Sequence, residues 1–255
     1  MGKKSSAASA RAAFGLVAVV LAPVLVAACT RGPQPPTTTQ PPGPSGGSGR
    51  PVLLVSGTFE NVSVVNVARS YLQGRGYRAY SMTLSGIPIG VSAGTAQSGQ
   101  AICRKIDSIL AETGADKVDL VGHSQGSIAG RWCIKSGGAL NKVDTFVSVG
   151  GVDDGTNTAL LCSGQGCTDM RHGSAFLRNL NAGPPPGDVH YFKIYSNPAM
   201  GGVDGEDAPI RGATNVSAQQ LCPGKLLTHA GEYTNRLVHT FLDNVLSGRS
   251  ATGTC

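Results

Sequence analysis

From residue 51 onward, short apolar runs alternate with longer stretches in which apolar residues recur every three or four positions. The short runs are typical of buried parallel strands, and the longer stretches are typical of helices that pack on a sheet. The alternation predicts an α/β fold with a compact, mostly parallel central sheet and helices on both faces. The predicted strands cover residues 52–55, 77–83, 117–121, 143–149 and 189–195. The predicted helices cover residues 61–73, 98–113, 127–136, 174–180 and 232–246.

The first 50 residues lack this pattern. Lys3, Lys4 and Arg11 come before or at the start of an apolar stretch over residues 12–28, and small residues precede Cys29. This arrangement is typical of a secretory signal with a bacterial lipoprotein cleavage site, in which the cysteine becomes the lipidated N-terminus. A short signal-anchor helix is the alternative, because about 17 apolar residues is the lower limit for crossing a bilayer.

These features divide the chain into three parts. We predict a signal peptide over residues 1–28 and a tether rich in Pro, Thr, Gly and Ser over residues 29–50, beginning with the lipidated cysteine. The tether has too few apolar residues to form a core. Residues 51–255 are long enough for one folded domain, which we expect to be catalytic.

The charge of the chain argues against a nucleic-acid partner. The 255 residues include 21 Lys and Arg against 15 Asp and Glu, a formal net charge of +6. Three of the basic residues belong to the predicted signal peptide, and the rest form no continuous basic run. The composition therefore gives no support for nucleic-acid binding.

Six cysteines remain after Cys29, and an even number in an exported chain indicates disulfide bonds. Sequence alone leaves the pairing open. No Cys-x-x-Cys pair and no His/Cys cluster with zinc-ligand spacing occurs in the sequence, so we expect neither a metal nor a cofactor. The expected disulfides are Cys162–Cys167, Cys222–Cys255 and, by elimination, Cys103–Cys133.

Residues 122–126 read Gly-His-Ser-Gln-Gly, between a predicted buried strand and a predicted helix. A serine in a strained strand-to-helix turn needs neighbours without a Cβ two positions away on each side, since the strand and the helix would otherwise collide. The pattern therefore predicts Ser124 as an exposed nucleophile. The alternative is a glycine-rich loop with an incidental serine, which leaves the flanking elements unexplained.

A serine nucleophile needs a neighbouring base, and histidine suits this role near neutral pH. We favour His229, which lies in a loop just before the last predicted helix and follows the serine late in the chain. The other histidines are predicted beside the serine, in a loop, at the start of a strand and within the last helix: His123, His172, His190 and His239.

The acid that orients the base should lie between the strand over residues 189–195 and His229. Asp204, Glu206 and Asp207 all qualify by position. The oxyanion formed during acyl transfer needs two donors, one from the residue after the nucleophile and one from the loop after the first strand. These are Gln125 and Thr58, although the segment around Thr58 also fits a plain strand-ending turn.

Several of these segments resemble the minimal bacterial lipases, the class 2 lipases. The resemblance is carried by residues 112–121, which read Glu-Thr-Gly-Ala-Asp-Lys-Val-Asp-Leu-Val, by the serine motif, and by residues 141–151. Residues 51–58, 215–222 and 228–231 resemble the fungal lipase B group instead. Together the two resemblances cover most of residues 51–246 and imply an α/β-hydrolase fold.

The resemblance also bears on the site residues. A Thr and a Gln form the oxyanion hole in the fungal group, which matches Thr58 and Gln125. In both groups the acid closely follows a Tyr-Ser pair, but that position here is Ala199. We therefore expect the acid to be displaced to Asp204, with Asp207 as the fallback. The fungal group also implies that Cys222 pairs with a C-terminal cysteine, which supports Cys255.

The resemblance implies a serine carboxylester hydrolase, a lipase or esterase, that acts through an acyl-enzyme on Ser124. The expected partners are an ester or acylglycerol substrate and a membrane reached through the lipid anchor, and we expect a monomer. An acyltransferase of the cell envelope with the same triad, or a surface lipoprotein on an inert hydrolase scaffold, are the alternatives. The segment over residues 151–188 is too short for a large cap domain, so we expect an accessible site and little interfacial activation.

Overall fold

The computed structural model describes residues 49–84, 93–197 and 203–255. Within these residues the strands and helices alternate as the sequence predicts, and they form an α/β-hydrolase-like sheet. The strands are β1 (Val52–Val55), β2 (Ala79–Met82), β3 (Val118–His123), β4 (Val143–Val149), β5 (His190–Tyr195) and β6 (Thr214–Ser217). The helices are α1 (Val62–Gly74), α2 (Thr95–Thr113), α3 (Gln125–Ser136), α4 (Gln165–Asp169), α5 (Ala175–Asn181), α6 (Ala218–Leu221) and α7 (Arg236–Leu246).

The six strands form one sheet in the order β2-β1-β3-β4-β5-β6, and every pair is parallel. Both faces of the sheet are covered. Val52 and Leu54 of β1 belong to the core beneath α1 and α7, whereas Leu53 and Val55 belong to the core beneath α2 and α3. A strand covered on both faces reads as a continuous apolar run, which is why β1 has no polar position. The predicted fold class is confirmed.

Two differences from the predicted elements concern the end of the chain. The edge strand β6 is short, polar and partly exposed, so it lacks the apolar run that marks the buried strands. The predicted last helix over residues 232–246 is two elements, a 3-10 helix His229–Thr234 followed by α7. Asn235 separates them because its side chain accepts a hydrogen bond from the amide of Leu237 and so caps α7.

The segment between β4 and β5 contains only short helices, α4, α5 and a 3-10 helix Asn157–Leu160, with no separate cap domain in the described residues. A disulfide between Cys162 and Cys167 lies within this segment. The other disulfides join α2 to α3 and the end of α6 to the C-terminus, in the pairs expected from the sequence: Cys103–Cys133 and Cys222–Cys255. Over residues 49–84, 93–197 and 203–255, no helix is long and apolar enough to cross a bilayer.

Candidate active site

Ser124 lies in the turn between β3 and α3 with φ 52° and ψ −122°, a conformation that a residue with a Cβ rarely adopts. The flanking glycines make the turn possible. A Cβ on Gly122 would lie 2.5 Å from the carbonyl oxygen of Gly126, and one on Gly126 would lie 2.4 Å from that of Ser56. The structure therefore has the strained strand-to-helix turn that the glycine spacing predicts.

His229 begins the 3-10 helix after Thr228 and lines the same pocket as Ser124. Its Nδ1 is in hydrogen-bond contact with Oε1 of Glu206, whose side chain is fully buried. A carboxylate on Nδ1 fixes the imidazole tautomer and leaves Nε2 available as a base. The structure thus brings His229 and Glu206 together at the pocket that holds Ser124.

The structure does not bring Asp204 to His229. Instead, Asp204 accepts hydrogen bonds of 2.7 Å from the Thr156 hydroxyl at Oδ1 and from the Asn157 amide at Oδ2, and Nε2 of His172 lies 3.4 Å from the same Oδ2. Burial opposes its ionisation, but these hydrogen bonds together lower the pKa of Asp204 to about 2. Asp204 holds the 3-10 helix Asn157–Leu160 in place, and the fallback Asp207 is exposed.

Glu206 reaches His229 because the chain turns sharply before it. Gly205 has φ 86°, and a Cβ there would lie 1.9 Å from the carbonyl oxygen of Gly155. The amide of Glu206 donates to the carbonyl of Val203, which closes the turn and directs the glutamate inward. The glycine between these two candidate acids is the sequence signal that Glu206 points away from Asp204.

Thr58 and Gln125, the residues predicted for the oxyanion hole, are in direct contact. The Thr58 hydroxyl donates a 2.6 Å hydrogen bond to Oε1 of Gln125, the first residue of α3. Gln125 is fully buried, and its Nε2 lies 3.5 Å from Oγ1 of Thr95. Because Gln125 stands at a helix N-terminus, its amide points toward a site that favours negative charge.

The pocket beside Ser124 has a volume of about 230 Å³ and an apolar lining on the side of the segment between β4 and β5. Phe59 and Leu161 line it while leaving most of their surface in solvent, 73% and 88% exposed. An apolar pocket with a few polar groups at one end suits a ligand with a hydrocarbon part and one reactive polar group. Its apolar lining includes Val152, Ala159, Met170 and Val203.

Comparison with known proteins decides the family. The family model described as Lipase (class 2) matches residues 49–203, more than half of the chain. The chain belongs to the class 2 lipases. Over 88 residues it is 35% identical to a triacylglycerol lipase of Pseudarthrobacter phenanthrenivorans and 35% identical to one of Burkholderia plantarii. The alignments cover 32% of this chain and only 27% and 24% of those relatives.

The fold of this class 2 lipase is shared with solved lipases of low sequence identity. Aspergillus fumigatus lipase B superimposes with a TM-score of 0.64 at 20% identity, over 80% of this chain and 54% of that one. A Bacillus licheniformis lipase in its mature form gives 0.63 at 16% identity, over 84% and 96%. The expected resemblance to the class 2 lipases is thereby confirmed at the level of family, and the resemblance to the fungal lipase B group is confirmed at the level of fold.

A second set of ionisable groups surrounds His123, the histidine directly before Ser124. The His123 ring is buried between two carboxylates, with Nδ1 2.8 Å from Oε1 of Glu60 and Nε2 2.9 Å from Oε2 of Glu232. Burial disfavours its charge, but the hydrogen bonds and charges of Glu232 and Glu60 raise the pKa of His123 to about 10. His123 is therefore a cation at neutral pH in this class 2 lipase.

His123, His229 and Glu232 each offer a metal-ligand atom within 4.8 Å of the others. Their ring nitrogens and carboxylates already contact one another and the side chains of Glu60 and Glu206. We therefore treat these five residues as an acid–base network.

Proposed function

We propose that this class 2 lipase is a serine carboxylester hydrolase in which Ser124 is the nucleophile, His229 the base and Glu206 the acid. The observation that carries the proposal is the contact between buried Glu206 and Nδ1 of His229, at the pocket where the strained turn presents Ser124. A buried carboxylate, an imidazole and a serine in a strand-to-helix turn are the parts that acyl transfer requires.

In the proposed reaction, the Ser124 hydroxyl attacks the ester carbonyl while His229 takes its proton. Glu206 stabilises the imidazolium ion that forms. Thr58 and Gln125 donate to the oxyanion of the tetrahedral intermediate, and loss of one such donor typically costs about 10²–10³ in rate. His229 then protonates the leaving alcohol, and water activated by the same base hydrolyses the acyl-enzyme.

The substrate class follows from the pocket. Its apolar lining beside Ser124 suits the acyl chain of a carboxylic ester, and its volume of about 230 Å³ favours a short or medium chain within the enclosed part. Longer chains would extend past the exposed side chains of Phe59 and Leu161.

Covalent labelling of the folded protein by a fluorophosphonate tests this function. We expect one adduct on the peptide that contains Ser124, none in Ser124→Ala, and labelling slowed by a factor of at least about 10² in His229→Ala. An intact, disulfide-bonded protein without an adduct would rule out the activated serine and favour a binding protein on a hydrolase scaffold.

We also propose export with a lipid anchor on Cys29, which lies outside the described residues, as does the predicted signal peptide over residues 1–28. Three disulfides suit an oxidising compartment outside the cytoplasm. Radiolabelled palmitate should enter the protein in a bacterial host and be absent from Cys29→Ala. Equal labelling of both proteins, or of neither, would contradict the anchor.

A further inference from the structure

Two carboxylates, and not one, face the Nδ1 side of His229. Glu206 makes the direct contact, and Oε2 of Glu232 lies 3.7 Å from the same nitrogen. Both side chains are buried, at 0% and 1% exposed. A serine hydrolase triad needs only one oriented carboxylate. Burying the second carboxylate costs free energy, and the proposed mechanism does not use it.

Glu232 is held where it is by its neighbours. Nε2 of His123 lies 2.9 Å from its Oε2 and 3.1 Å from the carbonyl oxygen of His229, so one ring nitrogen contacts both the glutamate and the backbone of the base. Gly150, at the end of β4, leaves room for the carboxylate, since a Cβ there would lie 1.9 Å from Oε2. The Glu232 carboxylate therefore occupies space that only a glycine at position 150 leaves open, and His123 contacts it there.

The charges around His229 come from four elements. Glu206 follows β5, Glu232 and His229 share the 3-10 helix, His123 ends β3, and Glu60 follows β1. The rings of His123 and His229 are 4.6 Å apart, and Tyr233 packs on His123 at 5.1 Å. One imidazolium ion thus stands among three buried or nearly buried carboxylates.

Two carboxylate oxygens in this group, Oε2 of Glu206 and Oε1 of Glu232, are buried without a hydrogen-bond partner among the residues that the structure describes. A buried oxygen without a partner costs free energy, so its presence in a folded protein calls for an explanation, and a catalytic role is one such explanation. Burial and the nearby charge of Glu206 raise the pKa of Glu232, against the opposing effect of the His123 cation. His123 is therefore the contact that most favours the ionised form of Glu232.

We propose that Glu232 is a positioning residue for His229, a second carboxylate that His123 holds beside Glu206 to stabilise the imidazolium ion. The proposal rests on the proposed function of His229 as the base. Proton transfer from Ser124 creates a positive charge on His229, and two fixed carboxylates near Nδ1 favour that charge more than one. Glu60 acts further away, by balancing the charge of His123 and accepting from the amide of Gly57.

Glu232→Gln tests this role, because glutamine keeps the shape and an acceptor for His123 but removes the charge. We expect the acid limb of the kcat/KM profile to move to lower pH by about one unit, and plateau kcat/KM to fall by about tenfold. The matched control is Asp243→Asn, which removes a buried charge beside Arg75 and Arg249, between α1 and α7. It should lower stability and leave the acid limb in place.

A purely structural Glu232 would give the opposite result, a lower Tm with an unmoved acid limb, and that result would overturn the proposal. A second readout does not need activity. In folded protein carrying Ser124→Ala, the NMR signals of the His229 ring should titrate at lower pH once Glu232→Gln is added. If the wild type forms no fluorophosphonate adduct but this shift occurs, the proposed function fails while the electrostatic role stands. If the wild type forms the adduct but the shift is absent, the proposed function stands and the role of Glu232 fails.

Should Glu232→Gln fail to fold, Glu232→Asp serves in the same titration. Aspartate keeps the charge, but its side chain is one methylene shorter and withdraws the carboxylate from Nδ1. A smaller shift in the same direction supports the proposal, and an unchanged titration overturns it.

Discussion

Asp204 and Glu206 lie two residues apart in sequence and have opposite environments. The Asp204 side chain is 39% exposed and bonded to Thr156 and Asn157, whereas Glu206 is fully buried against His229. We expect Glu206→Gln to lower kcat by a factor of at least about 10², because an amide cannot stabilise the imidazolium ion. Asp204→Asn should stay within about twofold of the wild type. A larger loss in Asp204→Asn than in Glu206→Gln, measured on a soluble ester, would contradict this assignment.

The environment of Asp204 also predicts a pH-dependent effect on stability. Its pKa of about 2 in the folded protein is below the value of about 3.9 expected for an unfolded chain. The ionised group therefore stabilises the fold fully above about pH 5, and this contribution is lost as the pH falls toward 2. The difference in Tm between the wild type and Asp204→Asn should be largest near neutral pH and disappear near pH 2. A difference that is constant with pH would rule out the carboxylate charge as its cause.

The strained turn at Ser124 could be predicted from sequence, whereas the carboxylate that contacts His229 could not, for a physical reason. The turn at Ser124 depends on local sterics, so glycines at 122 and 126 reveal it directly. Which carboxylate reaches His229 depends on which one the loop directs inward, and three candidates within four residues have the same local pattern. Only the turn at Gly205, closed against the backbone of Gly155, distinguishes Glu206 from its neighbours.

At the scale of elements, a buried ionic cluster joins β5, α3 and the loop after β4. The side chain of Asp153 accepts from Lys193 at 2.7 Å and from Arg131 at 3.0 Å, and Lys193 is fully buried. Burial opposes the charge of Asp153, but both cations lower its pKa. The cluster lies beneath the segment that lines the pocket, because Lys193 also donates to the carbonyl of Gly151.

Removing Asp153 should therefore destabilise the whole domain. Asp153→Ala leaves a buried ammonium and a guanidinium uncompensated, and breaking such a cluster typically costs about 3–5 kcal/mol in the free energy of unfolding. Asp107→Ala is the control, since its pair with Lys142 is half exposed and such pairs contribute at most about 1 kcal/mol. Urea unfolding with disulfides intact measures both. Equal losses in the two variants would show that the cluster adds nothing beyond a surface pair.

Strands and helices could be predicted where burial produces a regular pattern of apolar residues. They could not be predicted where contacts with distant parts of the chain determine the structure. Strands covered on both faces, such as β1, appear as apolar runs in the sequence. The edge strand β6 has one buried residue, Ser217, and is stabilised by pairing with β5 and by side-chain hydrogen bonds of Asn215. Tyr233, in the last turn of the 3-10 helix His229–Thr234, continues the apolar spacing of α7, so the sequence pattern extends the predicted helix back to residue 232.

At the scale of the whole molecule, the pocket opens directly to solvent among the described residues. The segment between β4 and β5 carries only short helices and is joined to itself by the disulfide between Cys162 and Cys167. The most exposed apolar side chains among the described residues include Phe59, Leu161 and Leu226. Leu226 lies three positions before His229 in the sequence. A large cap that must move away before substrate can enter is not part of this segment.

This architecture predicts ester hydrolysis without a threshold at the substrate's solubility limit. With a short-chain triacylglycerol, the initial rate should rise smoothly through that limit, because dissolved molecules already reach Ser124. An enzyme whose cap opens only at a lipid surface would instead show a low rate on dissolved substrate and a sharp increase once droplets form. The rates are compared on the disulfide-bonded domain without the proposed lipid anchor, so that anchoring cannot imitate activation. A sharp increase would mean that residues in the pocket rim must rearrange before catalysis, and the open pocket would then be only one of two conformations.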